Sequence, residues 1–196
     1  MPTIKSNTEF EDNKFHFVTI NKAKITESEF HKCIFKSCDF SETNFSKCLF
    51  DECVFIECNL SLIKIPECRF SLCKFINSKL IGIDWTLSST DMGLELKCEN
   101  TDLSFCTFYK IDISESSFTN CKLNEVDFSE CTAKKVNFSE SDLLKSVFNR
   151  SNLKEANFTK ARNYFFDPRE NNINKAKFTL PEVQNLLNAF GIIIEG

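Results

Sequence analysis

Apolar residues recur at every fifth position over most of the chain. All sixteen positions of this series from Phe10 to Trp85 are apolar, and thirteen more follow between Cys98 and Phe158. A period of five fits neither the ~3.6-residue turn of an α-helix nor the two-residue alternation of a strand. We therefore predict a chain that turns a corner in every repeat and closes one square coil after four repeats. Residues twenty apart should then stack in columns, such as Phe10, Phe30, Phe50 and Phe70, or Phe15, Phe35, Phe55 and Phe75.

A second inward position lies two residues before each of these centres. Its residues are mostly small, and neither position carries Asp, Glu, Lys or Arg in any repeat, although 27% of the chain is charged. Both side chains are therefore expected to fill a dry core. Ten of the eleven cysteines occupy the small position, and the first seven are five or ten residues apart, unlike the C-x₂-C of zinc sites. We expect these cysteines to act as small hydrophobes, with no metal site and no cofactor.

Several segments carry the same five-residue motif. Residues 38–42, 126–130, 151–155 and 156–160 read CDFSE, VDFSE, SNLKE and ANFTK. They resemble the repeat A(D/N)LXX of the pentapeptide-repeat family, and the resemblance extends over about residues 8–178. It implies an all-β solenoid, a right-handed quadrilateral β-helix, with a short C-terminal α-helix. On this basis residues 1–178 are assigned to the β-helix, and residues 179–196 to the C-terminal helix and apolar tail.

Two interruptions break the repeat. Trp85 and Cys98 are thirteen residues apart, three more than a multiple of five, which predicts a bulge or loop at about residues 86–97. This loop is either a recognition element on a rigid scaffold or an insertion without consequence. Asn163 and Pro168 fall at core positions, which predicts an irregular coil at about residues 161–172. The candidate partner loop consists of Ser88, Ser89, Thr90, Asp91, Met92 and Gly93.

The C-terminal segment has the pattern of a helix. Thr179 suits the N-cap, Pro181 the first turn, and Gly191 the position after the last turn. Its apolar stripe either closes the open end of the coil or joins two copies of the chain. The resembled family commonly dimerises through such an element, and we predict a homodimer through the C-terminus. The expected interface is Val183, Leu186, Leu187, Phe190, Ile192, Ile193 and Ile194.

Two outward-facing sets of residues are candidate binding surfaces. One is an aliphatic patch, in which Ile34 would neighbour Val54 and Ile56 would neighbour Ile76. The other is a set of acids with lysines between them, namely Glu115, Glu125, Asp127, Glu130, Glu140, Asp142 and Glu155. The net charge is −4, which argues against direct binding to nucleic acid through a basic surface.

The sequence offers no indication of catalysis. His16 and His31 are the only histidines, both fall at outward positions, and no nucleophile-elbow, phosphate-loop or dinucleotide motif occurs. A rod with a dry core also lacks the concave pocket of an enzyme, so a non-enzymatic protein is predicted. An odd number of cysteines, no apolar leader in residues 1–20 and no apolar stretch of roughly 18 residues predict a reduced, cytoplasmic protein without a membrane partner.

The chain resembles Qnr-type quinolone-resistance and microcin-immunity pentapeptide proteins in three features. These are a repeat over nearly the whole chain, a single phase break, and a tail of helix, Gly191 and aliphatic residues. The resemblance implies a dimeric DNA mimic that binds a type II topoisomerase, DNA gyrase or topoisomerase IV, and protects it from a quinolone or a toxin. The alternative is a protein-interaction scaffold that uses the aliphatic patch and has no role at a topoisomerase.

Overall fold

The five-residue period folds the chain into a right-handed quadrilateral β-solenoid, which confirms the predicted fold. The computed structural model describes residues 3–91 and 93–192. Two 3₁₀ helices occur in this part of the chain, η1 (Trp85–Leu87) and η2 (Glu182–Phe190). The strands of the same residues are β1 (Glu9–Glu11), β2 (Lys14–His16), β3 (Lys24–Thr26), β4 (Glu29–His31), β5 (Ile34–Lys36), β6 (Asn44–Ser46), β7 (Leu49–Asp51), β8 (Val54–Ile56), β9 (Arg69–Ser71), β10 (Cys73–Ile76), β11 (Leu96–Glu99) and β12 (Ser117–Thr119).

Each coil has four sides, which we number in chain order as faces 1 to 4. Face 1 is the sheet β1-β4-β7-β9, and face 2 is the sheet β12-β11-β10-β8-β5-β2. Face 3 is held by single parallel bridges such as Asp39↔Asn59, and face 4 begins with the pair β3-β6. Partners in the first coils are twenty residues apart, as in Phe35↔Phe55, so four repeats of five residues make one coil.

The core consists of stacked phenylalanine rings in the predicted columns. Phe35 and Phe55 stack with ring centroids 4.6 Å apart, and Phe128 and Phe148 stack at 4.9 Å. Adjacent columns meet edge to face, as for Phe35 and Phe40 at 5.5 Å and 83°. Aromatic pairs favour both arrangements, so each ring fixes its neighbours along the coil and between coils.

The small inward residue also donates a hydrogen bond to the preceding coil. Cys53 Sγ donates to the carbonyl oxygen of Phe30 at 3.2 Å, and Thr43 Oγ1 donates to that of Ile20 at 2.7 Å. The same bond recurs with serine, for example from Ser141 Oγ. Buried carbonyl groups need partners, so Cys, Ser and Thr at this position do more than fill space.

Most corners use a left-handed residue two positions after the centre. Thirty described non-glycine residues have φ between 50° and 64°, and most are Glu, Lys or Asn. Such conformations cost about 1 kcal/mol or more for residues with a Cβ atom. The corner amide is bonded to the next coil, as in Glu27 N to Ser46 O at 2.9 Å and Lys32 N to Asp51 O at 2.8 Å. The stacking of coils therefore holds a corner that the local sequence would not adopt alone.

The phase break lies between Ser89 and Leu94. The backbone N–H of Ser89 still donates to the carbonyl oxygen of Cys68 in the preceding coil, and the N–H of Gly93 donates to that of Thr90 at 2.8 Å. Gly93 has φ +82°, and a Cβ atom there would lie 3.4 Å from the Asp112 carbonyl oxygen. Partners on the two sides of this break are 23 residues apart, as in Phe75↔Cys98, and beyond it they are twenty apart again, as in Cys98↔Phe118. The extra residues therefore leave the four faces aligned.

Near the C-terminal end, aromatic residues replace the expected centres. Tyr164 and Phe166 are buried there, whereas Asn163 is exposed and Pro168 is only partly buried. Buried Asn171 donates from Nδ2 to the Phe148 carbonyl oxygen at 3.1 Å. This stretch has no strand among its described residues and does not follow the strict repeat.

The C-terminal helix is a 3₁₀ helix rather than the expected α-helix. Thr179 does not cap it with its side chain, because Thr179 Oγ1 accepts a hydrogen bond from Lys160 N at 2.8 Å. Gly191 ends the helix with φ +67°, the left-handed conformation expected after a last turn. A 3₁₀ helix of nine residues is unusually long, and packing of buried Leu186 against the core holds this segment on the last coil.

Candidate protein-binding surfaces

The four aliphatic residues predicted as a patch lie together on face 2. Ile34 pairs with Val54 between β5 and β8, and Ile56 pairs with Ile76 between β8 and β10. Val54 and Ile56 are two residues apart in β8, so both pairs point to the same side of the sheet. All four side chains are partly exposed. They form one continuous aliphatic patch on a flat sheet surface.

Acids and bases alternate along the corner columns of the C-terminal half. Lys135 Nζ lies 2.9 Å from Glu115, and Lys160 Nζ lies 3.3 Å from Glu140, each one coil away. Lys145 Nζ is likewise 3.6 Å from a carboxylate oxygen of Glu125. The predicted acidic surface is therefore a set of charge ladders rather than a continuous array of carboxylates.

Glu130 is the most heavily paired of these acids. Its carboxylate lies 2.6 Å from Arg150 Nη2 in one neighbouring coil and 3.5 Å from Lys110 Nζ in the other. Partial desolvation opposes its ionisation, but the hydrogen bond from Arg150 and the charge of Lys110 hold the pKa of this carboxyl below its usual value. The field of Glu130 is thus largely cancelled within the protein.

The remaining predicted acids are engaged locally. Asp127 Oδ1 accepts the N–H of Ser129 at 2.8 Å, and Asp142 Oδ1 accepts the side-chain amide of Asn163 at 2.8 Å. Glu155 lies 3.8 Å from Lys154 Nζ. Hydrogen bonds of this kind fix turns and bridge coils, so these carboxylates serve the scaffold as well as the surface.

A carboxylate-rich surface lies instead at the N-terminal end of face 1. It was not among the surfaces predicted from the sequence. Glu9 pairs directly with Glu29, and Glu11 lies two residues from Glu9 in β1. Asp51 lies in the same column as Glu11, one coil beyond His31. No described basic residue other than His31 lies within 4 Å of these carboxylates. Writing the sequence in rows of twenty residues would have placed these acids side by side.

His31 bridges two acids of this face. Its Nε2 atom lies 3.2 Å from Glu29 Oε2, and its Nδ1 atom lies 3.5 Å from Asp51 Oδ2. The hydrogen bond with Glu29 raises the pKa of His31, burial lowers it by a smaller amount, and Asp51 adds to the increase. The positive charge of His31 is therefore stabilised by the face on which it lies.

The helix η2 divides the predicted dimer interface into two sides. Leu186 is buried against the core of its own chain, and Val183 packs partly against it. Leu187, Phe190 and Ile192 are 40%, 50% and 50% exposed. The helix therefore caps the solenoid with one side and presents an apolar side to solvent. Ile193 and Ile194 lie outside the described residues.

The predicted partner loop contains both buried and exposed residues. Ser88 is buried and donates from Oγ to the Trp85 carbonyl oxygen at 2.6 Å, so it faces the protein interior rather than a partner. Asp91 is exposed, and Ser89, Thr90 and Gly93 are partly exposed. Met92 lies outside the described residues.

The cysteines lie inside the solenoid. All eleven are free and buried, and burial raises the pKa of Cys73, Cys106, Cys121 and Cys131 to about 12, which keeps these four thiols neutral. Side-chain hydrogen bonds with Cys58 and Cys68 instead lower the pKa of Cys38 and Cys48 to about 7, but both thiols are buried in the core. In residues 3–91 and 93–192 no group of three or more His, Cys, Asp or Glu side chains is placed to hold a metal ion. Nor does any helix of these residues have the length and apolarity to span a membrane.

Comparison with known proteins gives a family and a shared fold. Residues 28–92 and 94–158 match the family model described as a pentapeptide repeat region. No curated protein matches the chain by sequence.

Solved structures of the same fold include two forms of one protein and one further protein. Two are trypsin-treated forms of QnrB1, described as a plasmid-mediated fluoroquinolone resistance protein, with TM-scores of 0.67 and 0.68 and 16% identity. The alignments cover 93% of this chain and 100% of that chain in one case, and 97% and 98% in the other. HetL, from the cyanobacterium Nostoc sp. and described as involved in heterocyst differentiation regulation, has a TM-score of 0.60 and 14% identity, covering 88% of this chain and 86% of HetL. At these identities the likeness concerns the solenoid fold.

Proposed function

The chain belongs to the pentapeptide-repeat family, and from that premise we propose that it is a non-enzymatic DNA mimic that protects a type II topoisomerase. The target is DNA gyrase or topoisomerase IV, which the rod occupies in place of DNA, and the threat is a quinolone or a toxin. The fold shared with QnrB1 over nearly the full length of both chains supports this proposal.

The observation that carries the proposal is the carboxylate-rich surface of face 1. Glu9 and Glu29 belong to adjacent strands, which lie about 4.8 Å apart, and Glu9 and Glu11 are two strand residues apart, about 6.8 Å. One DNA strand carries a phosphate for every ~3.4 Å of helix axis. Four carboxylates over the first three coils supply a charge density of the same order at this end of the rigid sheet. His31 lies between Glu11 and Asp51, and Leu49 and Arg69 continue the column of Glu9 and Glu29. The charge ladders of the C-terminal half do not contribute to this charge density.

In this proposal the DNA mimic is a homodimer, formed through the exposed side of η2. Replacing Leu187 and Phe190 with Asp should give a folded monomer, because both side chains face solvent in the single chain. Light scattering would report the mass, and an unchanged dimer would place the interface elsewhere. Leu186 is left intact because its burial makes it part of the cap.

The experiment for the main proposal is gyrase supercoiling in the presence of a fluoroquinolone. The purified protein should restore supercoiling at close to stoichiometric amounts. A Glu9→Lys, Glu29→Lys double variant should need at least tenfold more protein, because it reverses the charge of face 1. A Glu125→Lys, Glu140→Lys double variant changes net charge equally on the ladders, and it should protect almost as well as the parent.

Absence of both rescue and inhibition at large excess would reject the topoisomerase proposal. The scaffold alternative would then take its place. It is favoured independently by the aliphatic patch on face 2, which no described segment of the chain covers. The similar fold of HetL, a protein described by a regulatory role, is compatible with such a scaffold.

A further inference from the structure

The aliphatic patch lies between lysines at both ends of face 2. One column of outward residues runs Lys14, Ile34, Val54, Lys74, Lys97. The next column runs His16, Lys36, Ile56, Ile76, Glu99. Each step along a column crosses one pair of hydrogen-bonded strands. The aliphatic side chains therefore occupy the middle of the face, with four lysines and a single glutamate beyond them.

Three of these lysines differ from the lysines of the charge ladders. Among the described residues, Lys14, Lys36 and Lys74 have no carboxylate within 4.0 Å. Lys97 is held by Glu95 at 2.7 Å and by the Glu115 carbonyl oxygen at 2.8 Å. Unpaired ammonium groups around an apolar centre attract an acidic ligand and leave it an apolar surface to cover.

Two shallow depressions flank Lys74 and Lys97. One has a volume of 400 Å³ and lies beside Ile76 and over Cys98, which takes a centre that Phe75 and Phe118 occupy in the adjacent coils. The other has a volume of 280 Å³ and is lined by Val54, the exposed side chain of Leu72 and Glu52, together with the two lysines. Aliphatic side chains of a ligand can enter both depressions while a carboxylate lies between them.

We propose that face 2 binds an acidic amphipathic helix of a partner protein. The ~4.8 Å step between coils is close to the ~5.4 Å pitch of an α-helix, so an apolar stripe can follow Ile34 and Val54 along the rod. The four steps from Lys14 to Lys97 span about 19 Å, which is about 13 residues of helix. Acidic residues near both ends of that helix meet the two groups of lysines. Helix-in-groove recognition uses the same stripe of anchors.

This inference rests on the proposed protein-binding role but not on the topoisomerase as its target. The topoisomerase proposal depends on the acids of face 1, and the two faces lie on different sides of the coil. An acidic helix is favoured over a nucleic acid because four aliphatic residues occupy the centre of the surface, where phosphates would gain nothing.

The test begins with a selection of random 16-residue peptides displayed on phage against the full chain. Enriched peptides should combine aliphatic residues at positions i, i+3 or i+4, and i+7 with Asp or Glu. A labelled enriched peptide is then titrated by fluorescence anisotropy. Lys74→Glu and Val54→Glu should each weaken binding at least tenfold. Lys134→Glu, the same charge change on an exposed lysine of face 1, should leave binding unchanged.

Several results would overturn the inference. These are no enrichment over the starting library, enrichment of basic peptides, equal binding by the parent and Lys74→Glu, or tighter binding of a single-stranded oligonucleotide than of the peptide. Gyrase protection by Lys74→Glu should equal that of the parent. The failure of one proposal is therefore distinguishable from the failure of the other.

Discussion

The two halves of the rod share one kind of core and carry different kinds of surface. In both halves phenylalanine rings stack one coil apart, at 4.9 Å for Phe30 and Phe50 and at 5.3 Å for Phe108 and Phe128. The N-terminal half collects acids on face 1, and lysines and aliphatic residues on face 2. The C-terminal half alternates acids and bases along its corner columns, whereas Lys22 and Glu42 are the one described Lys–Glu pair of this kind in the N-terminal half.

The comparison shows that the repeat constrains the interior and leaves the exterior free. Alternating charges one coil apart attract each other and cancel at a distance. Segregated charges repel their neighbours and project a field that a partner can recognise. Both proposed binding surfaces lie in the N-terminal half, and most charges of the C-terminal half are neutralised within the protein.

The largest expected effect tests whether the two cores are equivalent. Phe55→Ala and Phe128→Ala should each lower the free energy of unfolding by about 3–5 kcal/mol, because both rings are buried between stacked neighbours. Urea unfolding followed by circular dichroism would measure both. Ile56→Ala, an outward neighbour of Phe55, is the matched control and should cost much less. If only one of the two Phe→Ala changes lowered the free energy of unfolding, the cores of the two halves would differ.

Smaller changes in the free energy of unfolding test the two surfaces. Charge reversal should destabilise the protein on one surface and stabilise it on the other. Glu130→Lys puts a third cation between Lys110 and Arg150 and should destabilise the protein. Glu9→Lys puts a cation beside Glu29 and should stabilise it. Both changes should shrink as salt is added, because exposed charges are screened. Urea unfolding at low and high salt measures them, and equal signs would contradict the division into two surfaces.

The smallest expected effect concerns His31 and pH. Its pKa in the folded state is raised above the ordinary histidine value of about 6.5, so its contribution to stability is fully present below that value. The contribution is lost as pH rises through the folded-state pKa. The stability difference between the parent and His31→Gln should therefore fall as the pH rises above about 6.5. An NMR titration in which His31 titrates below about 6.5 would contradict the bridge to Glu29 and Asp51.

The core and the phase break could be predicted from the sequence because both follow from the spacing of the apolar residues. A period of five defines the inward residues, and an interval of thirteen between Trp85 and Cys98 requires three extra residues in one coil. The pairing of the aliphatic patch follows from the same count. The charge ladders were equally accessible, since Lys110, Glu130 and Arg150 are twenty residues apart. They were missed because the acids were considered as a set and not column by column.

Other features depend on contacts that local sequence does not encode. The left-handed corners carry Glu and Lys, and only the amide bonds to the next coil explain their conformation. Ser88 is buried because its hydroxyl turns back to Trp85, and Leu186 is buried because the last coil is open beneath it. A helix as short as η2 gains most of its stability from packing, and Leu186 supplies that packing.

The length of the loop at the phase break determines which side of the rod each later face occupies. Three extra residues are absorbed in one turn, and Asp84 still pairs with Thr107 on the same side of the rod. One added repeat of five would instead rotate everything after it by a quarter turn, and the ladder of Glu115 and Lys135 would move from face 1 to the line of another face. Twenty added residues would lengthen the rod and leave every face where it was. An insertion in such a chain therefore rotates all later faces about the rod axis, unless it adds a whole coil or is accommodated in a loop outside the solenoid.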